Sequence, residues 1–219
     1  MDVLSFLWDE RYLLIDGLTS TLHIAALSLI FSVLGGFLVG FISNIPNPVI
    51  TFIARVHLES FRIIPLMVWL FFGFFTLRTE FGINLSAYGA IILVFTLWGS
   101  AEMGELVRGA LQSLPVIQKE SGTALGLTQF QLFRYILLPQ AIRRLLPGII
   151  NMATRLIKTS SMAIWLGITE VVTRGRQIIE RTGESFVIWA FIFFLFFFIC
   201  WPLSIWARHL EQSQSAKGA

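Results

Sequence analysis

Long apolar runs, broken by short polar stretches, set the pattern of this chain. No Asp, Glu, Lys or Arg occurs from Gly17 to Ala54, and Pro46 and Pro48 divide that run. The division predicts a first membrane span over about 18–43, followed by a turn at SNIPNP. Next comes FIARVHLESFRIIPLMVWLFFGFFTL, whose charge-free part, Ile63–Leu77, is too short to cross a bilayer. A second span must therefore carry charge and cover about 50–77. Further spans are predicted at about 84–108, 141–168 and 185–207, the last free of charge. The stretch 119–148 is too polar to span and too apolar for a solvated loop, and the segment left between spans, about 109–140, is expected to be a loop. The fold class expected is all-α, a polytopic membrane protein of about five helices forming one domain over residues 1–219.

Composition agrees: 56% of residues are hydrophobic, 13% are charged and mean hydropathy is +0.77, whereas soluble domains carry about 25% charged residues. The net charge of +3 comes from scattered Lys and Arg, which does not suggest nucleic acid. Cys200 is the single cysteine, so neither an intrachain disulfide nor a cysteine-based metal site is available. The N-terminal stretch is acidic where a signal peptide would be basic, so no cleavable signal is expected.

Charge bias sets the expected orientation. Arg108, Lys119, Arg134, Arg143 and Arg144 stand against Glu120 alone, which places this loop in the cytoplasm. The N-terminus, with Asp2, Asp9, Glu10 and Asp16, then lies outside and the C-terminus inside. Arg174, Arg176 and Arg181 fit less well on the outside, although Glu170, Glu180 and Glu184 balance them.

Several charges fall within spans, where they are costly and face a bundle interior or an aqueous path. Arg55, Glu59 and Arg62 share one helical face; Glu102, Glu105 and Arg108 share another. Arg155 and Lys158 run into Thr159, Ser160 and Ser161. Any one of these could be a structural ion pair or a snorkelling side chain; three rows in one small bundle favour a translocation path or gate. His23 and His57 have no ligand partners at useful spacing and read as structural. Gly35, Gly36 and Gly40 read as small-residue helix packing. No metal, phosphate-binding or catalytic motif is present, so the energy for active transport must come from a partner or an ion gradient.

The loop supplies the specific signal. Glu120-Ser121-Gly122 is followed after three residues by Gly126, and after nine more by Ile136, Leu138 and Pro139. This resembles the EAA loop of ABC importer permeases, E-A-A-x3-G-x9-I-x-L-P, with Ser121 and Gly122 in place of the alanines. FRIIPLMVWLFF, GELVRGALQSLP, RYILLPQAIRRLLPG and IKTSSMAIWLGITEV likewise resemble segments of polar amino-acid permeases, so that the similarity extends over roughly residues 17–205. The resemblance implies a type I importer permease without enzymatic activity. Its partners would be an ATPase dimer that binds ATP and Mg, a second permease and an extracytoplasmic amino-acid-binding protein, assembled in a bacterial inner membrane. The loop would form a coupling helix docked in the ATPase, with Ser121, Gly122 and Gly126 small at the entry and Leu125, Leu127, Phe130 and Phe133 as apolar anchors. Pro139 and Pro147 would break the chain where it re-enters the membrane.

Two departures refine the expectation. The family's RGTP is Arg62-Ile63-Ile64-Pro65 here, and the aspartate of its KDTSL is Thr159. One side of the pocket loses polar contacts and an anion. That favours a heterodimer whose other permease holds most substrate contacts, and an acidic or neutral polar amino acid over a cationic one. Arg62, Arg155 or Lys158 would answer a substrate carboxylate. The alternative is an ion-coupled carrier or channel using the same charged rows; it would show internal repeats, which are not evident.

Overall fold

The computed structural model describes residues 3–43, 45 and 47–215. Asn44 and Pro46 of the expected turn, and Asp2 of the acidic N-terminus, lie outside the described residues. The helices are α1 (Val3–Asp9), α2 (Arg11–Ile42), α3 (Pro48–Ile63), α4 (Leu66–Phe71), α5 (Leu77–Thr79), α6 (Ala87–Gln112), α7 (Val116–Ala124), α8 (Gln129–Leu132), α9 (Leu138–Thr159), α10 (Val171–Thr182) and α11 (Ser185–Ser215). Helices Arg11–Ile42, Ala87–Gln112 and Ser185–Gln214 are each long and apolar enough to cross a membrane. The expected spans 18–43, 84–108 and 185–207 correspond to α2, α6 and α11, the first running one residue past Ile42 and the second starting three residues before Ala87. The last helix continues to Ser215, beyond the point where the apolar run ends.

The expected span 50–77 is not one straight helix. Asn47 caps α3 by accepting the Val49 and Ile50 amides at 2.9 and 3.3 Å, with Pro48 in the first turn. The helix ends at Ile64, whose extended backbone (φ −84°, ψ 129°) is what a following proline enforces. The chain then turns by 109° into Leu66–Thr79. Phe72–Thr76 within that second half is a π turn. The expected span 141–168 also divides: α9 ends at Thr159 and tightens into a 3₁₀ segment, Ser160–Leu166, closed by Gly167 at φ 72°.

The centre of the bundle is the contact of α2 with α6. A Cβ on Gly36 would lie 2.3 Å from Met103 Cβ, and one on Gly40 2.6 Å from Val107 Cβ. From the other side, a Cβ on Gly99 would lie 2.0 Å from Ser32 Oγ. The helices approach this closely because these positions carry no side chain, the packing mode that membranes favour when hydrophobic association is weak. Ile24, Phe95, Met103, Met152 and Leu156 fill the core that α9 completes.

At the end of the bundle where α2 begins, α10 lies across the helix. Val171 N–H donates to Thr21 Oγ1 at 3.3 Å, and a Cβ on Gly17 would sit 2.8 Å from Val171 Cα. Arg174 donates to Asp16 at 3.0 Å and Arg181 pairs with Glu10. The basic residues that fitted the charge bias poorly thus find acidic partners on the N-terminal segment, and only Arg176 pairs within its own helix, with Glu180 at 3.2 Å. The C-terminal end of α11 lies at the opposite end, where Gln214 donates to the Arg143 carbonyl at 2.7 Å.

Glu170 is fully buried and caps α10. Its carboxylate accepts the Val172 and Thr173 amides at 2.9 and 2.7 Å and the Thr173 hydroxyl at 2.9 Å. Burial pushes its pKa above the ordinary carboxylate range, against the pull of these hydrogen bonds. The folded state therefore holds this proton to higher pH than the unfolded chain does, and its contribution to stability falls as pH rises from the ordinary carboxylate pKa through the raised one.

Two outcomes follow for the purified protein. Gly36→Val is expected to lower the thermal unfolding midpoint, with a loss of about 1–3 kcal/mol from overpacking. Glu170→Gln is expected to flatten the pH dependence of that midpoint in the weakly acidic range. An unchanged slope would show that another group sets it.

Candidate translocation site and coupling loop

Because α2 covers one face of α6, the Glu102, Glu105, Arg108 row points to the other. There it meets charges from α3 and α9. Glu105 holds Arg108 through two hydrogen bonds of 2.9 Å, and Arg108 reaches Gln112 at 3.1 Å. Arg62, two residues before the Ile64–Pro65 break, stands between Glu59 at 3.8 Å and Glu105 at 3.9 Å. Arg155 donates to Glu102 at 3.2 Å and lies over the Trp98 ring, 4.9 Å from its centroid.

These pairs border a cleft of about 640 Å³ between α6, α9 and the end of α11. Glu102 stands about 15 Å from the end of α6 at 1.5 Å per residue, so the cleft runs about that far in from the bundle end. The side chains of these ion pairs remain 27–47% exposed. Ions this exposed are stable at that depth only if the cleft holds water or a polar guest.

Of the residues expected on the path, Glu102, Glu105, Arg62 and Arg155 line this cleft; Glu59 and Arg108 line a second cavity behind the Arg62–Glu105 pair. Lys158, Thr159, Ser160 and Ser161 line neither of these two cavities. Ser160 is fully buried and its hydroxyl donates to the Ile157 carbonyl at 2.7 Å, while Ser161 donates to the Lys158 carbonyl at 2.9 Å. Both hydroxyls serve the backbone where α9 tightens into its 3₁₀ end. The sequence reading missed Asn151, Glu211 and Gln214 on the cleft. Glu211 and Gln214 lie past the hydropathy-defined end of α11, and Asn151 approaches Glu211 at 3.4 Å. His57 meets Ser100 at 3.1 Å and His23 meets Tyr88 at 2.8 Å, both as helix-to-helix ties.

The loop is a compact unit fused to α9. Gly126, at φ 80°, allows the chain to reverse after α7. Thr128 and Gln131 then start α8 with reciprocal capping bonds. From α8 the helix continues through a π turn, Phe133–Leu137, into α9. Pro139 lacks the amide that would close a regular turn and follows directly on the π turn, the kind of local widening that absorbs such a misfit. The break expected at Pro147 does not occur, since the residue is buried within continuous α9. Gln140 donates to Gln118 at 2.9 Å, and Arg144 reaches the Ser113 carbonyl at 2.8 Å.

Inside the loop, Leu114, Leu132, Leu137 and Ala141 form a small core with Leu127, Phe133 and Ile136 packed on it. Gly122 faces this core: it is buried, and a Cβ there would lie 2.5 Å from Leu132 Cδ1. Its small size serves the packing of α7 on α8. Glu120 and Ser121 are exposed on α7, Leu138 is half-buried and Pro139 is exposed. Leu125 is 81% and Phe130 72% exposed, with Ile117 and Tyr135 also outward. Of the four expected anchors, two project and two, Leu127 and Phe133, pack inward.

A membrane bundle with a charged cleft, and a rigid loop presenting apolar side chains beyond the bundle end, defines a transport permease subunit. The chain belongs to the family of binding-protein-dependent transport system inner membrane components, whose model matches residues 18–215. It is 32% identical over 215 residues to the "Probable glutamine ABC transporter permease protein GlnP" of Bacillus subtilis, covering 97% of this chain and 95% of the relative. It is 31% identical over 209 residues to the glutamine transport system permease protein GlnP of Escherichia coli, covering 95% of each. Its fold matches a crystal structure of an amino acid ABC transporter with histidines, at a TM-score of 0.87 and 26% identity over 97% of this chain and 99% of that one. The fold is also that of the MetNI methionine ABC transporter, with a TM-score of 0.70 at 22% identity over 93% of this chain and 96% of that one.

A β-branched residue at Gly126 cannot adopt φ 80° without strain. Gly126→Val is expected to abolish coupled uptake while the chain stays in the membrane at normal abundance, as read by a transport assay beside an immunoblot. Normal uptake would show that the loop reversal is not needed for coupling.

Proposed function

We propose that this chain forms half of the path of an ATP-driven importer for amino acids, with acidic or neutral polar substrates preferred. The observation that carries this reading is the mixed-sign lining of the cleft, Glu102 and Glu105 opposite Arg62 and Arg155. An α-amino acid is a zwitterion. The carboxylates answer its ammonium group and the guanidiniums its carboxylate, the latter with bidentate geometry. Without a guest, the same groups pair across the cleft, Arg155 with Glu102 and Arg62 with Glu105. A polar guest exchanges these exposed pairs for its own, and each such pair contributes only about 0–1 kcal/mol.

Coupling runs through α9. An ATPase dimer, carrying ATP and Mg, grips Leu125 and Phe130 and moves the loop. Because α8, the π turn and α9 form one continuous helix, the motion reaches Arg155 as a rigid displacement and opens or closes its contact with Glu102. Two packings of such a bundle are what alternating access needs. A substrate-loaded binding protein delivers at the opposite end, near α10. In this orientation the N-terminus lies outside and the C-terminus in the cytoplasm, within a bacterial inner membrane. Ile63 and Ile64, in place of the glycine and threonine of the resembling RGTP segment, remove polar contacts beside Arg62, which supports pairing with a second, different permease.

Tagged chain, gently solubilised, is expected to co-purify with an ATPase and a different permease; an ATPase alone would establish the homodimer instead. In proteoliposomes, Arg155→Gln is expected to raise the half-saturating substrate concentration or reduce uptake by about tenfold, equivalent to ~1.4 kcal/mol. Unchanged uptake of every amino acid tested would remove Arg155 from the path.

A further inference from the structure

We propose that the cavity between α2, α3 and α6 binds the phosphate of an anionic phospholipid headgroup. The cavity, about 260 Å³, lies across the Arg62–Glu105 pair from the translocation cleft, and those two residues line both spaces. Its wall carries three guanidinium groups, Arg55, Arg62 and Arg108, against two carboxylates, Glu59 and Glu105. The carboxylates are engaged with Arg62 and Arg108. Arg55 is left with neither an ion pair nor a hydrogen bond among the described residues. A lone guanidinium on a membrane helix takes an anion where one is in reach, and phosphate matches its fork of donors.

Position selects the lipid over a free anion. Ser43 and Gln112, at the ends of α2 and α6, also line the cavity, so it opens toward the end of the bundle where those helices stop. Arg55 borders a second hollow as well, shared with Asn47, Thr51 and Phe52 on the outer side of α3. Beside it, Phe52, Ile53 and Val56 present an apolar surface 67%, 63% and 50% exposed. A phospholipid satisfies both features at once, its acyl chains along that surface and its phosphate at Arg55. Basic pockets between spans on the cytoplasmic side take anionic headgroups in this way. Which leaflet supplies the lipid follows from the orientation proposed above; binding itself does not depend on it.

The test uses the assembled importer purified in mild detergent, with retained phospholipid quantified by mass spectrometry. Wild type is expected to keep phosphatidylglycerol or cardiolipin, and Arg55→Gln to lose it about fivefold. Arg55→Lys should retain most of it, and Arg143→Gln, an exposed arginine near the loop, all of it. Equal retention by wild type and Arg55→Gln overturns the proposal. Should Arg55→Gln fail to assemble, delipidated wild-type complex is titrated with short-chain phosphatidylglycerol, phosphatidylcholine or inorganic phosphate while the unfolding temperature is read. Stabilisation by phosphatidylglycerol alone supports the site. Equal stabilisation by phosphatidylcholine overturns the role of charge, and equal stabilisation by inorganic phosphate overturns the lipid.

Discussion

The close approach of α2 to α6 is the constraint on which the other parts depend. Glycines at 36, 40, 99 and 104 remove the side chains that would hold the two backbones apart. Lipid supplies no hydrophobic drive between helices, so this contact rests on packing at short range. Once α2 occupies one face of α6, the charged row of that helix has a single direction left. The cleft is the consequence: Glu102 and Glu105 face α3 and α9 because the opposite side is filled.

The second organising feature is the continuity of the loop with α9. A flexible tether would dissipate the motion of a partner, whereas here the loop has its own small core and two side-chain ties to its surroundings, Gln140 to Gln118 and Arg144 to Ser113. A π turn rather than a hinge joins α8 to α9, so the proline at 139 is absorbed without loss of axial stiffness. The exposed Leu125 and Phe130 and the buried Gly122 face opposite ways within one short segment, two outward and one onto the loop's own core.

Much of this was legible in the sequence, and what was not has physical reasons. Hydropathy located α2, α6 and α11 because their apolar runs exceed bilayer length. The resemblance of 119–148 to the EAA loop located the family and the candidate coupling segment. The break at Pro65 was hidden because FRIIP was read as a motif within a span, although a proline after an extended residue is itself a break signal. Ser160 looked available because a hydroxyl next to charges reads as polar lining; its bond to the Ile157 carbonyl is a tertiary detail of how α9 ends. Glu211 and Gln214 were lost because hydropathy measures where the membrane run stops, not where the helix does. The partners of Arg174 and Arg181 were out of reach for another reason: they lie more than one hundred and fifty residues earlier in the chain.

The geometry of α3 bears on how the chain is made. Its charged row leaves the ribosome before the helix that supplies Glu105 to Arg62. Until α6 arrives, Glu59 is the only carboxylate near Arg62, and the turn at Pro65 gives α3 little length to stand alone in lipid. Glu105 is made some forty residues after Arg62, so the pairing that ties α3 to α6 is completed only once both helices are present.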